Sequence, residues 1–128
     1  MDMVRIKQIN GNVLTPTRVE DVEHCLFLDL YIPRDTPVQK GRNTISLDFH
    51  IALPSGVCAV ILSKKTRTTE DVNGCQRNGC VLLDMLNEGF KGNVDVVFHS
   101  EDFFVLGRGT RVARMLICGC NQFDLVDE

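Results

Sequence analysis

Apolar residues recur at alternate positions, or in short runs, along most of this chain, and turn-forming residues separate the runs. A period of two is typical of strands that bury one face against a core. Turns are marked by stretches such as Pro54-Ser55-Gly56 and Gly107-Arg108-Gly109. The pattern predicts a mostly β sandwich or barrel-like roll, with strands at 25–32, 44–53, 57–62, 94–99, 103–106 and 112–118.

Helical signals are confined to the middle of the chain. Within 66–73, threonines at 66, 68 and 69 precede Glu70 and Asp71. Hydroxyl side chains ahead of acidic residues are typical of a helix N-terminus, where they cap free backbone amides. The sequence therefore predicts one short helix over 66–73, and the segment 81–86 is a second candidate.

Composition narrows the class of protein. The chain has 128 residues, of which 44% are hydrophobic and 24% charged, and its formal net charge is −3. These values predict a single domain over residues 1–128 and argue against a general nucleic-acid binder, because phosphate binding normally requires a basic excess. No apolar segment approaches membrane-spanning length. We expect an intracellular, soluble protein of the cytoplasm or nucleus, with no membrane contact.

Six cysteines are present, and their spacing matches neither a zinc hook nor a secreted disulfide scaffold. Reduced, mostly buried thiols are the interpretation that this spacing favours. In the predicted last strand Cys118 and Cys120 flank a glycine and would face the same side, so a zinc or redox role for these two thiols is the alternative. The three histidines are scattered and predict no metal site.

Several stretches occur in an order that periodicity alone does not explain: Thr15-Pro16-Thr17-Arg18, Leu28-Asp29-Leu30-Tyr31, Ile51-Ala52-Leu53-Pro54-Ser55-Gly56, Gly89-Phe90-Lys91-Gly92-Asn93-Val94 and Gly107-Arg108-Gly109-Thr110-Arg111-Val112-Ala113. In this order and spacing the chain resembles the trimeric dUTPase family over nearly its whole length. The resemblance implies a dUTPase-like jelly-roll subunit, a distorted β-barrel, in a homotrimer whose subunits exchange the C-terminal strand, here 123–126. It also implies hydrolysis of dUTP to dUMP and pyrophosphate with a divalent metal, through five motifs that meet at the subunit interfaces.

The first two motifs are altered. The family's Ala-Gly-Tyr-Asp-Leu is here Leu26-Phe27-Leu28-Asp29-Leu30, so Asp29, which in an active member would orient the metal-bound waters, is kept while Phe27 replaces the glycine. Asp29 could instead pair with Arg111 near a strand end. The family's Pro-Arg-Ser-Gly corresponds to Ser63-Lys64-Lys65-Thr66. Lys65 thus stands where a serine would bridge the phosphates, which removes that geometry but keeps attraction for an anion.

In the third motif the family's catalytic aspartate corresponds to Asn87, counted back from Gly92. An amide cannot take a proton from water near neutral pH, so the base position is degenerate. Glu88, or Asp84, is the alternative base if the segment 73–81 folds differently. Phe90 corresponds to the family's tyrosine and would still pack against a deoxyribose.

The fourth motif keeps its frame in Gly109 and Arg111, but its glutamine is replaced by Arg114. The chain shows no counterpart of the glycine-rich arm that forms the fifth motif and closes over the nucleotide. Lys64, Lys65, Phe90, Gly92 and Arg114 are the substrate-binding positions if binding is retained.

These coordinated changes predict a non-catalytic dUTPase-like protein, a pseudoenzyme with no cofactor, that binds an unidentified protein partner, as some viral accessory proteins of this family do. The alternatives are a divergent dUTP diphosphatase that uses Mg²⁺, Asp29 and a displaced carboxylate, and a metal-independent nucleotide or anion binder that uses Lys64, Lys65, Arg67 and Arg114.

Overall fold

A computed structural model describes residues 3–8, 17–22, 25–119 and 125–126. Within them the chain forms strands and turns, and no helix occurs in this part of the chain. The strands are β1 (Arg5–Gln8), β2 (Thr17–Val22), β3 (Cys25–Tyr31), β4 (Thr36–Val38), β5 (Gly41–Ala52), β6 (Val57–Ser63), β7 (Thr68–Glu70), β8 (Gln76–Val81), β9 (Asp84–Leu86), β10 (Lys91–Ser100), β11 (Phe104–Leu106) and β12 (Arg111–Gly119). The mostly β fold is confirmed, and the six strands predicted from the sequence correspond to β3, β5, β6, β10, β11 and β12.

Two five-stranded antiparallel sheets form the body of the fold. The first has the order β1-β5-β10-β8-β7 and the second the order β2-β3-β12-β6-β9, while β4 and β11 form a separate pair. The long strand β5 changes its register with β10 beside Asp48. Among the described residues, Asp48 is the non-glycine residue whose backbone has a positive φ, 56°. Such a bulge increases the local twist of a strand and lets a long strand curve around the core.

The core lies between these sheets because alternate residues of each strand point inward. From the first sheet, Phe49 and Phe98 are almost completely buried, and Leu30, Ile61 and Met115 are their counterparts in the second sheet. In β12 the alternation leaves Arg114, Leu116 and Cys118 half-buried on the side away from the core. We call this side of β3, β12 and β6 the outer face of the second sheet.

Both predicted helices are wrong. The segment 66–73 contains β7 and the turn after it, and 81–86 ends β8 and forms β9. Asp71 explains the first error: its Oδ1 accepts hydrogen bonds from the amides of Asn73 and Cys75, both at 2.9 Å. The acidic side chain caps a hairpin turn here, as Asp side chains commonly do, and not the start of a helix.

Some sequence predictions fall outside the described residues. These include Cys120, residues 15–16 of the first family segment and residues 123–124 of the strand expected to exchange between subunits. Leu125 and Val126 are described, and both are exposed. In the described residues no helix is long and apolar enough to cross a membrane.

Candidate functional site

A cavity of about 480 Å³ opens where β6 ends and β12 begins. The side chains converge there because β12 pairs with β3 on one side and with β6 on the other, which places Arg114 opposite both Asp29 and Leu62. The loop after β6 adds the two lysines that the sequence predicts. The residues that line the cavity are Phe27, Leu62, Ser63, Lys64, Lys65, Thr66, Arg111, Ala113 and Arg114.

Asp29 sits beside this cavity and is held by two guanidinium groups. Arg111 Nη1 donates a hydrogen bond to Asp29 Oδ1 at 3.2 Å, and Arg114 Nε lies 3.7 Å from the same oxygen. The Asp29 side chain is 17% exposed, whereas those of Arg111 and Arg114 are 41% and 36% exposed. The pairing of Asp29 with Arg111 that the sequence allowed is therefore present, and Arg114 joins it.

Arg114 makes a second contact within the cavity. Its guanidinium carbon lies 5.5 Å from the centroid of the Phe27 ring, which is the range of a cation–π interaction. The sequence identified Phe27 and Arg114 as separate departures from the family pattern and missed this contact. Phe27 and Arg114 are diagonal neighbours across β3 and β12, and such pairs touch when one member is aromatic or long.

The described residues that line the cavity carry a net positive charge. Lys64, Lys65, Arg111 and Arg114 line it, and Asp29 is the adjacent carboxylate. None of the described lining residues is a carboxylate, a histidine or a cysteine. The arrangement suits the binding of an anion, because guanidinium groups donate paired hydrogen bonds to phosphate oxygens and lysines add point charges.

A hydrated Mg²⁺ does not fit this arrangement. Magnesium sites are built from carboxylate oxygens and waters around a cation that needs negative neighbours. Here the Asp29 carboxylate is already shared by Arg111 and Arg114, and two lysines stand nearby. Among the described residues no group of three or more His, Cys, Asp or Glu side chains is arranged to hold a metal ion.

The turn between β9 and β10 holds the predicted base position. Asn87 is exposed, and its carbonyl accepts a hydrogen bond from the amide of Phe90 at 3.1 Å. Glu88 Oε2 accepts a hydrogen bond from the amide of Gly56 at 2.7 Å, so its carboxylate is engaged at the neighbouring turn. Phe90 is half-buried against the core, and its carbonyl accepts a hydrogen bond from the amide of Leu53. The turn is thus fixed by contacts of its own.

This turn and the cationic cavity lie at opposite ends of β6. Glu88 contacts Gly56, just before β6, whereas Ser63, the last residue of β6, lines the cavity. Six residue steps separate Val57 from Ser63, which is roughly 20 Å at about 3.3 Å per residue. The structure therefore brings Asp29, Arg111 and Arg114 together with the two lysines. It does not bring Asn87, Glu88, Phe90 or Gly92 to them within one chain.

The remaining predicted positions have structural surroundings of their own. Gly109 lies in the turn before β12 with φ +87°, and its amide donates to the carbonyl of Ile32 at 2.8 Å. Asp84 is exposed at the start of β9, and its Oδ1 accepts from the amide of Met85. A second cavity of about 430 Å³ is lined by Leu83, the residue before Asp84. Lys64 and Lys65 line both cavities, and Arg67 lines the second one.

A row of thiols on the outer face was also missed by sequence reasoning. In the register of the sheet, Cys118 on β12 faces Cys25 on β3 and Cys58 on β6. The sequence offered only the cysteine positions, because the register that aligns three distant strands is not visible in any one of them.

Comparisons with known proteins identify the fold. No protein-family model and no curated protein matches the chain. The fold is similar to that of a mutant dUTPase from phage phi11 of S. aureus, with a TM-score of 0.73 and 11% identity over 98% of this chain and 96% of that one. It is also similar to a mutant dUTPase of Staphylococcus bacteriophage 80alpha with dUpNHpp, with a TM-score of 0.69, 13% identity and coverage of 98% and 96%. A second mutant of the 80alpha enzyme gives a TM-score of 0.71, 13% identity and coverage of 98% and 89%. The chain therefore has a dUTPase-like fold.

Proposed function

We propose that this chain, one dUTPase-like domain over residues 1–128, forms a homotrimer that does not hydrolyse dUTP and acts by binding a protein partner. Its role would be regulatory, of the kind a viral accessory protein has inside the cell. The observation that carries the proposal is the pairing of Asp29 with two guanidinium groups, which leaves its carboxylate unsuited to hold a hydrated Mg²⁺. Because function resides in sites and not in folds, this local chemistry outweighs the shared architecture.

The base position supports the same conclusion. Asn87 cannot accept a proton near neutral pH, and Glu88 accepts a hydrogen bond from Gly56. A general base typically contributes 10²–10⁴-fold to a rate, so its loss slows hydrolysis by roughly that factor even where substrate binds. Lys65 and Arg114 further replace two neutral side chains of the family pattern with long cations, which alters the positions of any bound phosphates.

The proposed homotrimer is supported by the position of the Asn87 turn and the cationic cavity at opposite ends of β6. Asn87 and Phe90 lie in the turn at one end of β6, and the cationic cavity lies at the other end of this strand, which is roughly 20 Å long at about 3.3 Å per residue. In a homotrimer, the turn of one copy would meet the cavity of another, as the resemblance to trimeric dUTPases implies.

The regulatory role draws support from the phage proteins of similar fold. One set of structures is described by the statement that phage dUTPases control transfer of virulence genes by a proto-oncogenic G protein-like mechanism. Another concerns the link between the enzymatic activity and the SaPI inducing capacity of a phage dUTPase. Those proteins thus combine the fold with a regulatory output, which is the output we propose for this chain.

An assay of pyrophosphate release from dUTP, run with Mg²⁺ on the wild type and on Asn87→Asp, tests the proposal. We expect turnover in neither protein. The Asn87→Asp substitution restores a carboxylate at the base position, but Asp29, Lys65 and Arg114 remain unsuited to bind the metal and the phosphates. Wild-type hydrolysis that needs Mg²⁺ and disappears in Asp29→Ala would instead establish a divergent dUTP diphosphatase. Activity gained only in Asn87→Asp would leave the wild type non-catalytic but show that the amide alone silences the site, which contradicts the argument from Asp29, Lys65 and Arg114.

A second candidate is a nucleotide or anion binder that needs no metal. It is favoured by the four cationic side chains that line one cavity, Lys64, Lys65, Arg111 and Arg114. Titration calorimetry with dUTP and with pyrophosphate, each in chelator and in Mg²⁺, tests it. We expect binding in chelator at least as tight as in Mg²⁺, because Mg²⁺ neutralises part of the ligand's charge, and we expect weaker binding by Lys65→Ala. Lys40→Ala, which removes an exposed lysine from the turn between β4 and β5, is the matched control.

A further inference from the structure

Three thiols form a row across neighbouring strands of the second sheet. Cys118 lies in the centre, with Cys58 as its register partner on β6 and Cys25 as its register partner on β3. All three are half-buried on the outer face, away from the core, whereas Cys75 is exposed in the β7–β8 turn. The cationic cavity makes no use of this row, since none of its lining residues is a cysteine.

The positions of Cys58 and Cys118 are close to those of two cysteines in a disulfide. The sulfur atoms of Cys58 and Cys118 are 4.0 Å apart. Directly opposed residues of antiparallel strands have Cα atoms about 4.5–5.5 Å apart, and disulfides span Cα separations of about 4.4–6.8 Å. The backbone is therefore already within range, and side-chain rotation with a small strand adjustment would bring the sulfurs to bonding distance.

The row is less suited to chelation of a metal ion. Cys25 and Cys58 lie on strands two positions apart, so their backbones are separated by about 9–10 Å. A linear arrangement does not surround a zinc ion, which needs four ligands in a tetrahedron. In the part of the chain that the structure describes, these thiols form no group with the arrangement of a metal site.

We infer that the row is an oxidation site, in which Cys118 forms a disulfide with either Cys58 or Cys25 when the protein meets hydrogen peroxide. The thiolate of one cysteine attacks the peroxide, takes one oxygen as a sulfenic acid and releases water. The second thiol then attacks the sulfenic sulfur, forms the S–S bond and releases the oxygen as a second water. Two thiols and one hydrogen peroxide thus give one disulfide and two waters.

Cys118 is the shared partner in both disulfides because Cys25 and Cys58 do not face each other. The thiol left over can attack the disulfide at the Cys118 sulfur and exchange one bond for the other. Partial burial raises the pKa of the Cys118 thiol, and the neighbouring Cys58 and Cys25 thiols raise it further. Since the thiolate is the reactive form, oxidation should become faster as the pH rises.

The experiment uses a parent variant in which Cys75, Cys80 and Cys120 are replaced by serine, so that only the row remains. After treatment with hydrogen peroxide, thiol titration and peptide mass spectrometry locate the bonds. We expect the parent to lose two of its three titratable thiols, with Cys118 in every disulfide found. Cys58→Ser and Cys25→Ser should each keep one intramolecular disulfide, and Cys118→Ser should form none.

Two results would overturn the inference: an intramolecular disulfide in Cys118→Ser, or a parent that accumulates only sulfinic acid with no S–S bond. Cys118→Ala is examined beside Cys118→Ser, and circular dichroism confirms that both are folded, so that loss of the bond is not mistaken for loss of the sheet. The same chemistry in wild-type protein should give the same Cys118 linkages, while exposed Cys75 reports the general reactivity of an accessible thiol.

Discussion

Arg114 makes two contacts that a neutral side chain in its place would not reproduce. Its guanidinium lies 3.7 Å from the carboxylate of Asp29 and stacks on the ring of Phe27. Phe27 and Arg114 stand where the resemblance leads us to expect a glycine and a glutamine, and the structure places the two side chains in contact. The two departures expected from the sequence therefore lie next to each other in space.

Sequence reasoning predicted the cationic members of the cavity and offered the Asp29–Arg111 pair, but it did not predict the contacts of Arg114. Lys64, Lys65 and Arg114 were identified because each replaces or flanks a motif position, and these three do line one cavity. The stacking of Arg114 on Phe27 depends on how β3 and β12 are aligned, and register is set by both strands and the turn chemistry around them. No single strand contains that information.

The charge of Asp29 provides a test at the residue scale. In an anion site without metal, Asp29→Asn removes a carboxylate that repels the ligand and frees two guanidinium groups. Pyrophosphate binding in chelator should tighten by roughly twofold to fivefold, because a partly exposed charge contributes at most about 1 kcal/mol. Calorimetry measures this, with Asp102→Asn as a control that removes an exposed carboxylate at a different turn. Weaker binding in Asp29→Asn would indicate that the carboxylate serves a cation after all.

At the scale of elements, the β7–β8 hairpin shows how a local signal was misread. Asp71 is buried, accepts two backbone amides of the turn and receives a hydrogen bond from Arg77 Nε at 2.8 Å. An acidic residue after threonines satisfies free amides equally well in a helix cap or in a turn. The adjoining β7 residues are β-branched threonines, which favour a strand, so the pairing with β8 prevails over the capping signal.

The pH dependence of stability should report on Asp71. The hydrogen bond from Arg77 is the main cause that holds the pKa of Asp71 below its ordinary value of 3.8. A carboxyl with a depressed pKa in the folded state stabilises the fold above the unfolded pKa, and this contribution is lost as the pH falls through the folded value. Asp71→Asn should therefore lower the melting temperature at pH 7, and the difference from wild type should shrink below about pH 4.

Thermal unfolding followed by circular dichroism at several pH values measures this difference. Glu70→Gln is the matched control in the same hairpin, because Glu70 is exposed and its Oε1 accepts a long hydrogen bond of 3.3 Å from Gln76 Nε2. A melting-temperature difference for Asp71→Asn that stays constant from pH 7 to pH 3 would contradict the assignment.

Gly79 explains why β8 approaches β10 so closely. A Cβ atom at this position would lie 2.6 Å from Cζ of Phe98 and 3.0 Å from the carbonyl oxygen of His99. Phe98 is fully buried, so its ring cannot move away freely. Gly79→Ala should lower the free energy of unfolding by about 1–3 kcal/mol, the usual cost of overpacking.

Denaturant unfolding of Gly79→Ala beside Asn78→Ala measures this cost. Asn78 is the adjacent, exposed residue of β8, so its substitution should change stability little. Equal stability of the two variants would mean that β8 does not pack on Phe98 as described.

For the whole molecule, the fold could be predicted further than the site. Alternation alone predicted a mostly β sandwich or barrel-like roll and six of its strands, because burial of one face of a sheet places apolar residues at alternate positions. The order of motifs then predicted the dUTPase-like fold that the comparisons confirm. The separation of Asn87 from Asp29 could not be read in the same way, since it depends on which ends of β6 their neighbours reach.

For the whole molecule we predict that the protein is a homotrimer in solution. We expect light scattering after gel filtration to give three times the 14.4 kDa mass of one subunit. The physical reason is that the two parts of the site lie at opposite ends of β6 and would meet only between copies. A monomeric mass at micromolar concentration would contradict the homotrimer, because the Asn87 turn would then have no cavity of a neighbouring copy to meet.

The length of β6 has a thermodynamic consequence. In each copy this strand keeps the cationic cavity and the Asn87 turn apart, so a ligand that touches both must join two copies. By reciprocity, such a ligand lowers the dissociation constant of the oligomer by the same factor by which assembly raises its own affinity. A small ion confined to the cavity has no such effect. Dilution experiments with and without ligand therefore distinguish a ligand that spans two subunits from one that occupies a single cavity.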